Sequence, residues 1–394
     1  MRDQDIVIVG AARTAFGSFQ GALSTIPAPK LGAVAISAAL KRAGVQPQQV
    51  SEVIMGNVLS AGIGQAPARQ ASIFAGIPHS AHALTVNKVC GSGMKAVMLG
   101  MQSLMLGDSE IVVAGGMENM SLAPHLVMQS RTGFRMGHQS LVDSMINDGL
   151  WDPYDNQHMG NCAELCAREK SFSRQEQDLF AAESFKRAQE AQKQGKFKDE
   201  IAPVEIQGKK GDIQTVDTDE GPAKVQFDKI PSLKPAFDKQ GSVTAANAST
   251  INDGAAALVL TTAAHAKKLG LKPLVRVVSY GTNSQEPKWF TTAPAEAMRR
   301  ALKKAQWELK DVDLFEVNEA FAVVAMAAQR ELEIPAAKLN IWGGAISLGH
   351  PIGASGARIV MTLMNQLRDQ KMKRGLAGIC IGGGEGTAIC LEVI

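Results

Sequence analysis

The chain has 394 residues, 45% of them hydrophobic and 20% charged, with a formal net charge of +3. That length exceeds one ordinary core and implies two or three packed domains. The small, dispersed charge and the 5% aromatic content argue against a nucleic-acid partner, and no apolar run reaches the length of a membrane span.

The first apolar segment, residues 6–9, reads as a buried strand and not as a signal sequence. An amphipathic helix follows over 31–43 and an apolar strand over 53–58. A long helix then opens at Cys90-Gly91-Ser92-Gly93, and the next strand ends in Gly115-Gly116. Residues 121–244 break this pattern with a basic stretch holding Arg131 and Arg135, a charged helix over 173–195 and a Gly/Lys/Asp-rich region over 208–239. A strand over 255–260 returns to the first unit. The second unit runs through a strand over 274–278, a helix over 295–305, a strand over 314–317, a long helix from Ser355, and a strand ending at Cys380 before Gly382-Gly383-Gly384.

The two units echo one another. Ser92-Gly93-Met94-Lys95-Ala96-Val97-Met98 matches Ser355-Gly356-Ala357-Arg358-Ile359-Val360-Met361, and Ala39-Leu40-Lys41-Arg42-Ala43 matches Ala301-Leu302-Lys303-Lys304-Ala305. Val113-Ala114-Gly115-Gly116 is paired with Ile381-Gly382-Gly383-Gly384 as a third echo. Strands alternating with helices imply a mixed or parallel sheet covered on both faces. Two such units pack with pseudo-two-fold symmetry, so the expected class is α/β.

Five cysteines, Cys90, Cys162, Cys166, Cys380 and Cys390, make an odd and irregular set that suits a reducing compartment. Aligning the echoes puts Cys90 and His350 at corresponding ends of related helices, where a helix dipole and an imidazole favour a thiolate. Alone, Cys90 reads as a small buried hydrophobe and His350 as a loop residue; Gly91, Gly93, Gly349 and Gly353 read instead as letting backbone approach a ligand. Cys380 is core, or a second thiol on the same cleft. Two thiols and a histidine fit a reaction needing both a nucleophile and a separate base. Asn318 is a helix cap, or it holds a water or the imidazole near an oxyanion. His158, Cys162 and Cys166 fall on one helical face, but no fourth ligand follows at a metal-binding spacing, so no metal is assigned. Cys390 reads as strand core.

Together these residues resemble the thiolase family along essentially the whole chain. The resemblance rests on Asn87-Lys88-Val89-Cys90-Gly91-Ser92-Gly93, Asn318-Glu319-Ala320-Phe321, Gly349-His350-Pro351-Ile352-Gly353 and Cys380-Ile381-Gly382-Gly383-Gly384, in the family's order. It implies a duplicated thiolase fold of two pseudo-two-fold-related α/β/α units: residues 1–120 plus 245–270, a loop domain over 121–244, and a second half over 271–394. It also implies that Cys90 forms the acyl-enzyme, His350 activates it, and Cys380 moves the α-proton. His350 and a water on Asn318 would stabilise the enolate, and the N–H groups of Cys90 and Gly382 the second oxyanion.

Within the family the likeness is to short-chain members that condense two acetyl-CoA into acetoacetyl-CoA and CoA. His158 and Met159 match the pantetheine-side loop, and Phe237, Ala320 and Phe321 the acyl pocket. Ser249, with Ala245 close by, meets pantetheine, Lys224 and Lys229 meet the nucleotide, and Arg131 and Arg135 lie in a cationic tetramerisation loop. Without the resemblance, the Met and Phe residues read equally as core and the basic residues as a solvated face. Some stretches follow the mitochondrial-type branch, which takes 2-methyl-branched substrates and responds to potassium. Its tyrosine is replaced here by Phe185, leaving the carbonyls of Ala245, Ala246 and Ala248 as the donors for potassium. No cofactor is required beyond coenzyme A as substrate, a homotetramer is implied, and the compartment is cytoplasmic or the mitochondrial matrix. The alternatives are a degradative 3-ketoacyl-CoA thiolase, a decarboxylating condensing enzyme, which lacks a cysteine base at Cys380, and an inactive acyl-CoA-binding protein.

Overall fold

The computed structural model describes residues 2–208 and 211–394. The first half contributes β1 (Ile6–Thr14), α1 (Ala28–Ala43), β2 (Glu52–Gly56), α2 (Pro67–Phe74), β3 (His82–Val86), α3 (Ser92–Leu106) and β4 (Ile111–Asn119). The intervening segment carries α4 (Met159–Glu169) and α5 (Arg174–Lys193), and β5 (Asn252–Thr262) returns to the first half. The second half adds β6 (Val275–Ser284), α6 (Ala293–Ala305), β7 (Leu314–Val317), α7 (Ala322–Glu331), α8 (Ile352–Asp369), β8 (Arg374–Ile381) and β9 (Glu385–Val393).

These strands form one sheet in the order β7-β8-β9-β6-β1-β5-β4-β2-β3. The halves meet where β1 pairs antiparallel with β6, Val7 opposite Arg276. Reading outward from that join, each half repeats the same ladder: two antiparallel pairings (β1–β5–β4; β6–β9–β8), then a parallel one (β4–β2; β8–β7).

Period-two alternation along the strands assigns their two faces. Val7, Val53, Met55, Val113 and Ala257 face α1 and α2, while Ile6, Ile8, Ile54, Val112 and Leu258 face a central core containing α3 and α8. In the second half, Leu314, Ala377, Ile379 and Ile389 join that same central core, and Phe315, Val317, Leu376 and Cys390 face α6 and α7 instead. The two long helices are thus a shared middle layer between the halves. No helix among the described residues is long and apolar enough to cross a membrane.

The ladder register corrects one expected echo. Matching bulges after Ile8 in β1 and Val277 in β6 set the equivalence, so Gly115 corresponds to Gly378 and Gly116 to Ile379, not to Gly384. Matching the glycine runs by composition slips the register, because strand equivalence is set by the pairing and not by where glycines cluster.

The segment between the halves is fastened by a buried ion cluster. Arg13 reaches Glu200 at 2.8 Å and makes a two-pronged contact with Asp219 at 2.7 and 2.8 Å. The α5 helix starts at a capping box in which Ser173 and Glu176 satisfy each other's backbone N–H groups.

Candidate active site

The site exists because α3 and α8 cross closely. A Cβ on Gly93 would lie 2.8 Å from Ala357 N, and one on its counterpart Gly356 would lie 2.4 Å from Met94 N. Only glycine at both positions lets the helices approach this far, which brings their N-termini to one place. The four glycines expected to make room for a ligand in fact make room for protein. Gly91 abuts Ile381, Gly93 and Gly353 abut the opposing helix and Glu118, and Gly349 abuts Asn252.

Cys90 precedes α3 in a tight turn. Val89 sits at φ +43°, a strained conformation for a β-branched residue, and the Ser92 hydroxyl secures the turn by accepting from Lys88 N and donating to Val89 O. The backbone N–H groups of Gly382 and of Cys90 itself favour the thiolate, yet burial, the larger effect, pushes the thiol up to about 11. The expected resting thiolate is therefore replaced by a thiol, because desolvation outweighs two N–H dipoles.

His350 precedes α8 and is buried, whereas Cys90 is half-buried. Its backbone N–H donates to Asn252 Oδ1 at 3.0 Å, and Nδ1 contacts Ser355 Oγ at 2.6 Å. Its Nε2 has no protein partner, and the residue lines the same cavity as Cys90. Burial first and the charge of Arg358 second bring the imidazole down to about 3, so it is neutral.

Cys380, at the end of β8, is fully buried, and burial together with the facing Cys90 raises its pKa well above the usual thiol value. Asn318 follows β7, also fully buried, and neither atom of its amide has a protein partner. It is not the helix cap, since α7 begins four residues later with Phe321 at the cap position. An unpartnered buried amide costs about 1–3 kcal/mol, so this one suits a ligand or water held at the site.

A cavity of about 260 Å³ is lined by Cys90, His350, Gly382, His158, Met159, Phe237, Ser249, Ala320 and Phe321 among others. Nine of the expected site residues thus come together. His158 stacks on Phe237 with ring centroids 4.7 Å apart, and its Nδ1 accepts from Gly160 N. Cys162 and Cys166 belong to the apolar cluster beneath, which also contains Cys380. An adjoining cavity of about 370 Å³ is lined by Lys224, Lys229, Ala245 and Phe185, with Thr250 common to both cavities. Arg131 and Arg135 are exposed and line neither.

Sequence reasoning missed Met120, Leu150, Phe290 and Ile352 as cavity residues. Ile352 stood inside a recognised motif; the others are ordinary apolar residues with no local signal. Glu118 was also missed, although a carboxylate in an otherwise apolar strand was visible.

Paired thiols, a neutral imidazole and inward N–H groups form a centre for acyl transfer through a cysteine thioester. Family models described as the N-terminal and C-terminal domains of thiolase match residues 6–264 and 271–393. The chain belongs to the thiolase family. It is 56% identical to an acetyl-CoA acetyltransferase of Cupriavidus necator over 389 residues, 98% of this chain and 99% of that protein. It is 53% identical to acetyl-CoA acetyltransferase 2 of Arabidopsis thaliana, covering 99% and 98% of the two chains. The crystal structure of the Bacillus anthracis acetyl-CoA acetyltransferase superposes with a TM-score of 0.97 at 40% identity, over 99% of both chains.

Proposed function

We propose that the protein is an acetyl-CoA acetyltransferase, interconverting two acetyl-CoA with acetoacetyl-CoA and CoA. The observation that carries this is the convergence of Cys90, the unpartnered Nε2 of His350 and Gly382 on a small apolar cavity, with Cys380 in the apolar cluster that supplies part of its wall. Relatives with that name support it.

In the proposed course, Cys90 Sγ attacks the thioester carbonyl while His350 Nε2 takes the thiol proton. That proton then goes to the departing CoA thiolate, leaving acetyl-Cys90. His350 Nε2 next takes the Cys380 thiol proton, and the resulting thiolate removes the α-proton of a second acetyl-CoA, whose enolate oxygen is met by the His350 N–H and a water on Asn318. The carbanion attacks acetyl-Cys90, whose oxyanion lies toward the N–H groups of Cys90 and Gly382. Collapse releases acetoacetyl-CoA, and the Cys90 thiolate recovers a proton from His350. The Ser355 hydroxyl lies between His350 Nδ1 and Pro351 O, at 2.6 and 2.9 Å. It can accept from Nδ1–H or donate to bare Nδ1, which supports both tautomers the two half-reactions require.

Lys224 and Lys229, exposed at the adjoining cavity, are assigned to the CoA nucleotide, and Ser249 to pantetheine. The half-exposed edge strand β3, with Leu84, Met105 and Leu106 open to solvent, supports self-association, and Arg131 and Arg135 a further pairing of dimers.

The test is loss of acetoacetyl-CoA enolate absorbance on adding protein and CoA, beside 2-methylacetoacetyl-CoA and a longer 3-ketoacyl-CoA. Turnover confined to the short substrates is expected. Turnover of long chains alone would reassign the protein to the degradative class.

A further inference from the structure

Glu118 is a fully buried carboxylate at the end of β4 that takes no part in the reaction above. Four donors converge on its two oxygens. Oε1 accepts from Asn57 Nδ2 at 2.9 Å and Leu59 N at 3.1 Å; Oε2 accepts from Val58 N at 3.1 Å and Gly353 N at 2.9 Å. Three of these donors belong to the first half of the chain and Gly353 to the second, three residues beyond His350. Glu118 therefore ties the turn carrying His350 to the half carrying Cys90.

Resting on the function proposed above, we propose that Glu118 is a positioning residue, whose carboxylate holds the His350–Gly353 turn in register with Cys90. The walls it tethers also bear on the pocket: Val58 and Leu59 pack with Met120 and Ile352, both of which line it. Glu118→Gln keeps the volume but turns one acceptor into an NH2 facing two donors, so one oxygen's pair of contacts is lost. Small misplacement of a catalytic group can cost up to about 100-fold in rate.

The experiment compares parent and Glu118→Gln in acetoacetyl-CoA cleavage at equal folded fraction, measured by near-UV circular dichroism. The expected result is a fall in kcat of about 10-fold or more with KM for CoA within about 2-fold, since the CoA-binding lysines lie elsewhere. An unchanged kcat, a rise in KM alone, or a loss matching the unfolded fraction would overturn the proposal. Should Glu118→Gln fail to fold, Asn57→Ala removes one of the four donors and should lower kcat about 3-fold with KM for CoA unchanged; no fall in kcat overturns the proposal. If the parent itself does not cleave acetoacetyl-CoA, the function proposal fails. The clamp is then decided by iodoacetamide alkylation of Cys90, expected to slow about 5-fold in Glu118→Gln and contradicted by an equal rate.

Discussion

The two halves of the molecule are built on one plan and put corresponding strand and helix ends to opposite uses. After β2, Asn57 directs its amide to Met117 O and Glu118; after β7, Asn318 has no protein partner for either amide atom. At the end of β4 stands a carboxylate bound to four donors; at the end of β8 stands a fully buried thiol. Before α3 the turn presents Cys90 to the cavity, whereas Gly353, its equivalent, lies inside the first turn of α8 and donates to Glu118. Apart from Asn57 Oδ1, which has no partner, the first set of polar groups is closed, and the second is open. The lesson is that one half supplies reactive groups at its strand ends, while the other supplies a carboxylate that holds the turns together.

That contrast can be broken most severely at Cys90. Cys90→Ala should lower acetoacetyl-CoA cleavage by about 10⁴-fold or more while leaving the fold intact, measured by steady-state assay and thermal unfolding. Retained activity would mean that the open set is not the reacting one. Cys380→Ser comes next, with condensation reduced about 10³-fold. Acetylation of Cys90 by acetyl-CoA, followed by mass spectrometry of the intact protein, should persist. Loss of both steps together would remove the division of labour between the thiols.

The smallest expected effect concerns stability. Burial brings His350 down to about 3 from its ordinary 6.5. Below about pH 6.5 the unfolded chain takes up this proton and the folded chain does not. The contribution is therefore whole above that pH and lost as pH falls toward 3. Between pH 7 and pH 5 the parent should lose about 2 kcal/mol more than His350→Asn in denaturant titrations. An equal loss in both would show that His350 charges freely in the folded state.

Much of this architecture was legible because it is carried by local pattern. The strand over 314–317 was found at its observed bounds, and the helix read over 173–195 is observed as Arg174–Lys193 with Ser173 capping it. The echo around Ser92 and Ser355 located the helix crossing. What escaped was set by pairing across the chain. The third echo slipped because glycine clusters do not report register, and Glu118 was missed because a strand glutamate usually marks a solvent face. Only the donors gathered from 57–59 and from Gly353 make it an interior residue. Similarly, Asn318 looked like a cap because its distance from the start of α7 is a matter of backbone path and not of residue type.

The central position of β5 has a consequence for how the chain is made. This strand lies between β1 and β4, although its residues, Asn252–Thr262, emerge long after both. At about 5–20 residues per second, a ribosome needs roughly 10 to 30 seconds after finishing β4 before β5 is delivered and free of the exit tunnel. During that interval the facing edges of β1 and β4 expose unsatisfied N–H and C=O groups to any passing strand. The nascent chain is thus most vulnerable to wrong pairing while the inserted segment is being translated, and conditions that slow elongation across 121–251 should increase aggregation more than equal delays later in the chain.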